Sequence, residues 1–289
     1  MKLSSMYPRL VTTATRLGLA ILFSASASAQ FHFSTGEVDG QIGTGARPSS
    51  PSVIQIETGD DFVLSQSIAI NHATFTGLLP ATSSLASIKD VTVELYHVFP
   101  VDSNVTRIPD VPTRMNSPSD VDFADRTSSD GNLTFTTSLL NPSFTVSNSI
   151  VNDISVGAMG EGPVTGQEVL IDVNFTTPFS LPADHYFFVP GVTLSDETFL
   201  WLSSVRPIVS PGTLFATDLQ SWIRNDPLEP DWLRIGTDIV GGGKTFNAAF
   251  SLDGSPVPEP ATTGLMGVGV LALALFVRNR RRRITRVIP

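Results

Sequence analysis

Between Gln30 and Ser255 apolar residues recur at every second position far more often than at every third or fourth, which is the spacing of half-buried strands. In Asp90–Phe99, Val91, Val93 and Leu95 share one face, and Thr92, Glu94 and Tyr96 share the other. Gly131–Leu140 alternates through Leu133, Phe135 and Thr137, while Val169, Ile171, Val173 and Phe175 stand against Leu170, Asp172 and Asn174. Further runs of strand character are Phe62–Ile70, Tyr186–Val189, Phe199–Val205, Trp232–Ile235 and Lys244–Leu252. Turn-forming residues punctuate them at Asn141-Pro142, Gly160–Pro163 and Pro211-Gly212. The pattern predicts an all-β ectodomain, an antiparallel β-sandwich of the jelly-roll type, with one half-exposed helix around Thr217–Arg224. Gly36–Pro51 reads as an irregular arm, Val101–Arg126 as a long insertion, and Ser251–Pro260 as an extended linker.

The two ends break this pattern. Lys2, Arg9 and Arg16 precede the apolar stretch Leu17–Phe23 and the small residues Ala27-Ser28-Ala29. That order predicts a signal peptide over residues 1–29, cut after Ala29. At the other end, Val257-Pro258-Glu259-Pro260 leads into an uncharged run from Ala261 to Val277, followed by Arg278, Arg280, Arg281, Arg282 and Arg283. Seventeen residues at about 1.5 Å each reach roughly 25 Å, so 261–277 is expected to be a single transmembrane helix near the short limit. The arginines should hold the tail, 278–289, on the cytoplasmic side.

These three parts, in this order and spacing, resemble the PEP-CTERM sorting signal of Gram-negative bacteria, here over 256–289. The resemblance implies an exported chain, held at least transiently in the inner membrane and processed by an exosortase-type enzyme. It also implies a place at the cell surface or in an exopolysaccharide-containing extracellular matrix. Ile284–Pro289 is a longer tail than the family usually carries.

Trimming both ends changes the charge picture. Three of the 18 basic residues lie in the leader and six in the tail, whereas all but Glu259 of the 27 acids lie between them. The domain over 30–255 therefore holds 26 acids against 9 bases, a net charge of about −17. A field of that sign disfavours nucleic acid as a partner. With no cysteine in the chain, the exported fold must hold without disulfides, and thiolate metal sites and cysteine nucleophiles are excluded.

Candidate chemistry is sparse. No Gly-X-Ser-X-Gly elbow and no His-Glu-X-X-His pair occurs, and Gly243-Lys244-Thr245 lacks the first glycine of a phosphate-binding loop. Asp120, Asp122 and Asp125 cluster in the expected insertion and form a candidate Ca²⁺ set, although without the order of an EF-hand. Asp184 and His185 could form an acid–base pair or simply open a strand. Trp222 and Trp232 flank a polar segment; if exposed, the pair would stack on sugar faces, and if buried it would anchor a loop. Trp201 is expected in the core. No cofactor other than this calcium candidate is expected. The leading functional expectation is a non-enzymatic surface or matrix protein that associates with exopolysaccharide. The alternative is a secreted carbohydrate-active enzyme whose carboxylates meet only in the fold.

Overall fold

The computed structural model describes residues 30–49, 53–107, 110–195, 197–205 and 220–257, with the helical residues 269, 272–276 and 278. Fifteen strands follow one another among these residues: β1 (Phe31–Ser34), β2 (Val38–Gly45), β3 (Ile56–Val63), β4 (Ile68–Pro80), β5 (Ile88–Val98), β6 (Pro118–Thr127), β7 (Leu133–Val146) and β8 (Asn148–Ile150). The second half supplies β9 (Val164–Leu181), β10 (His185–Leu194), β11 (Leu200–Ser204), β12 (Trp222–Asn225), β13 (Leu233–Arg234), β14 (Asn247–Ala248) and β15 (Phe250–Pro256).

They build an all-β body of two sheets. One has six strands in the order β13-β12-β3-β10-β5-β6. The other has nine: the path β1-β15-β4-β11-β2-β8, with β9 beside β4, β7 beside β9 and β14 beside β11. All pairings are antiparallel except β2 with β8. The sheets share one core, in which Val91, Val93, Leu95, Tyr186 and Phe188 of the first meet Ile70, Phe75, Val169, Ile171 and Trp201 of the second. The faces expected to turn inward on β5 and β9 do so, and Trp201 is 1 % exposed. At Gly77 a Cβ would fall 1.9 Å from the Phe199 ring, so this glycine is what lets the ring sit over β4.

Several sequence expectations need correction. Phe62–Ile70 is not one strand but the end of β3, a turn and the start of β4. The supposed arm Gly36–Pro51 contains β2, whose Gly43 and Gly45 lie close against Leu200 and Ile56. Its glycines signalled close backbone packing rather than freedom. The expected insertion ends in β6, and Asn141-Pro142 lies inside β7, at ladder irregularities between Leu139 and Phe144. Around Thr217–Arg224 the described part is strand β12, not helix, and the ladder carries its side chains alternately to the two faces. A π-helical turn at Ile235–Val240 had no forecast.

The expected linker is also largely folded. β15 pairs with β4 through Pro256↔Ile68, and the Val257 N–H donates to the Ser67 carbonyl at 2.9 Å. β1 adds to the far side of β15, with Phe31 opposite Gly254. Both ends of the described body therefore leave from one corner of the larger sheet. The expected signal peptide, Pro258, Glu259, Pro260 and Arg280 to Arg283 lie outside the described residues. Of the expected membrane helix, 269 and 272–276 are described and helical, with Leu273, Leu275 and Phe276 exposed. Among the described residues no helix is long and apolar enough to cross a membrane.

Candidate functional site

The largest gathering of ionisable side chains lies on the outer face of the six-stranded sheet. Register places it there: Arg224 lies opposite Glu57 and Trp222 opposite Gly59, while Val189 lies opposite Glu94 and Phe187 opposite both Tyr96 and Asp61. Alternation then points all of these side chains away from the shared core. An outward sheet face usually meets water, but this one is roofed. Tyr96, Phe187, Val189, Trp222 and Trp232 form a second apolar cluster over it.

The roof is the segment after β12 together with the loop before β6. Trp232 returns edge-on to Tyr96, with ring centroids 5.4 Å apart, and its Nε1–H donates to the Ser119 carbonyl at 3.2 Å. Asp231 is fully buried. It takes the Asp110 backbone N–H at 3.0 Å and faces both Arg107 and Arg114 at 3.2 Å. Arg114 also pairs with Asp120. Arg224 donates to the carbonyls of Asp120 (3.0 Å) and Pro230 (3.3 Å), and its guanidinium stands 4.3 Å over the Trp232 ring.

Beneath the roof, Arg224 grips Glu57 through Nε and Nη2, the second bond at 3.1 Å, and donates to the Tyr96 hydroxyl at 3.0 Å. Tyr96 donates to Glu57 at 2.6 Å, and its oxygen lies 3.0 Å from Glu94. Glu94 therefore shares the Tyr96 hydroxyl with Glu57. Its pKa is accordingly pushed up to about 8, by burial first, then by the charge and hydrogen bond of Glu57. Burial lowers the Arg224 pKa, but Glu57 outweighs it and the net shift is upward. Burial, then the charges of Glu57 and Glu94, also raise the Tyr96 phenol.

This network could hold and release a proton near neutral pH. The notch beside it, lined by Arg47, Gln55, Glu57, Thr92 and Glu94, measures about 10 Å³, room for roughly one water.

The sequence-derived candidates fare unevenly. Trp222 and Trp232 are 0 % and 1 % exposed, so they form no sugar-stacking platform; they hold the roof down. Asp184 does not pair with the His185 ring. Asp184 accepts the His185 backbone N–H at 2.8 Å, while His185 Nε2 lies 2.6 Å from Asp61 in the buried interior. The three aspartates of the calcium candidate separate by role. Asp120 holds Arg114 and the Asn104 N–H, whereas the Asp122 pKa is raised by burial and then by the charge of Asp125. Among the described residues no group of three or more His, Asp or Glu side chains could hold a metal ion. Sequence reading missed Glu57, Glu94 and Arg224; only the outward position of Glu94 on its strand was legible.

A second row of ionisable side chains crosses the open face of the larger sheet. His32 Nδ1 meets Asp253 at 2.7 Å, Asp253 meets His72 Nδ1 at 3.0 Å, and His72 Nε2 meets Asp172 at 3.1 Å. Burial raises the Asp253 carboxyl, but hydrogen bonds and charge from the two histidines outweigh this, leaving its pKa lowered.

The described residues define a β-protein with buried polar anchors, and a further C-terminal segment follows its last strand. That segment matches the PEP-CTERM protein-sorting motif over residues 256–282, which indicates an exported protein sorted to the cell envelope through exosortase. No curated protein and no solved structure matches the chain.

Proposed function

We propose that the protein is a non-catalytic component of the cell surface or extracellular matrix: a β-sandwich delivered by its C-terminal signal and associating there with exopolysaccharide. The observation that carries this reading is the seamless junction between body and signal. Among the described residues Val257 is the last one tied to the sheet, and it is also the first of the Val-Pro-Glu-Pro motif. A cut in or beyond that motif would release a body with no core residue missing, as suits cargo. Two features support a binding rather than a catalytic role. Glu57 and Glu94 are engaged with Arg224 and Tyr96, and the open face of the larger sheet is rich in groups that suit sugar hydroxyls, including Thr74, Ser251, His72 and Asn174.

The test uses the native host. Mass spectrometry of the mature chain should find a new C-terminus near Pro258–Pro260, and Glu259→Ala should leave the precursor uncut but exported. The purified mature protein should be retarded in gels containing the host's exopolysaccharide. Unretarded migration together with shortening of the polysaccharide would replace this reading with the enzymatic one.

A further inference from the structure

We propose that β7 is an assembly edge, through which the protein pairs with a second copy of itself by extending the larger sheet. Among the described residues six strands end the two sheets or their branches, and five of them are poor templates. β1 and β8 are four and three residues long, and β13 and β14 two each. β6 is longer but carries Pro118, Asp120, Asp122, Asp125 and Arg126. Short length, proline and charge are the usual devices that stop a sheet edge from recruiting another chain.

β7 lacks the first and the last. It runs for 14 residues without one ionisable side chain, and the uncharged stretch extends from Gly131 to Asn152. Among the described residues its ladder is with β9 alone, so the opposite edge has no backbone partner. From Leu133 to Leu139 the ladder is uninterrupted; the irregularities begin only after Leu139, with Pro142 beyond. Seven regular residues of Thr, Ser, Phe and Leu form the template, a composition suited to strands. Next to it Leu139 and Leu140 are 46 % and 51 % exposed, apolar area that a partner strand would cover.

Charge selects the edge by which a second copy can approach. Two copies of a domain near −17 repel one another along most approaches, including edge to edge through β6. The neutral β7 strip is the approach on which that repulsion is least, and backbone hydrogen bonds need no charged groups. Identical strands meeting antiparallel satisfy a two-fold axis, so one patch serves both partners and the assembly closes as a dimer.

The chain has no cysteine, so single introduced cysteines report this contact cleanly. Thr134→Cys, Thr136→Cys and Ser138→Cys place thiols along the exposed side of β7, and near the two-fold axis one of them faces its own copy. Expressed as full chains in the host and oxidised in intact cells, at least one should run at twice the monomer mass on non-reducing gels. Asp125→Cys on β6 should stay monomeric. In sedimentation of the mature protein, Thr136→Lys should weaken the dimer at least tenfold with an unchanged thermal melt. Monomers from all three β7 variants, equal cross-linking through β6, or a cross-linked band of another mass would each overturn the proposal.

Discussion

The outer faces of the two sheets carry similar acids and bases in opposite surroundings. On the six-stranded sheet Glu57, Glu94 and Arg224 lie beneath Trp232 and the loop before β6; on the nine-stranded sheet His32, Asp253, His72 and Asp172 lie open to water. Under the roof, burial dominates, and Glu94 is pushed up to about 8. In the open, burial is weak, and hydrogen bonds from two histidines hold Asp253 low. The same residue types therefore lock one face and decorate the other. What differs is whether solvent is there to take over when a partner is lost.

Arg224→Ala should give the largest effect. It strips the cation from Glu57 in a dry site, and loss of one partner of such a pair costs about 3–5 kcal/mol. Urea unfolding would measure it, and a loss as small as that of an exposed ion pair would break the contrast between the faces. The pH dependence should be next in size. Glu94 has a folded-state pKa raised above its ordinary 4.5, so the native state binds the extra proton between that value and about 8. Its contribution is complete below pH 4.5 and is lost as pH rises through about 8. The urea midpoint should fall between about pH 4.5 and 8 in the native protein and fall less steeply in Glu94→Gln.

On the open face the sign reverses. The lowered pKa of Asp253 gives stability that is present above its ordinary 3.8 and lost as pH falls through the depressed value. His72→Ala should remove part of this acid-side loss while costing under about 1 kcal/mol at neutral pH, as partly exposed ion pairs do. A cost comparable to Arg224→Ala would mean that the open row is as structural as the roofed one.

Strand content was readable wherever period-two alternation met few glycines and charges, as in β5 and β9. It was hidden where the residues served other ends. β2 reads as a flexible arm because its glycines admit Leu200 and Ile56, β6 reads as a loop because its aspartates and proline guard an edge, and β15 reads as a linker because it closes on Gly254 and Pro256. The roofed network was invisible for a different reason. Glu57 and Arg224 stand 167 positions apart, and neither has a local motif. Trp222 and Trp232 were seen as a pair, but a linear pattern carries no sign of whether an aromatic ring faces water or a roof.

The chain's order of letters alone determined its sorting signal and its β character, because both are local and written along the line of the chain. Tertiary structure decided the rest: which acids meet at one hydroxyl, which tryptophans are covered, and which edge was left neutral and open. Each of those depends on groups brought together from distant positions, and on whether water is excluded when they meet.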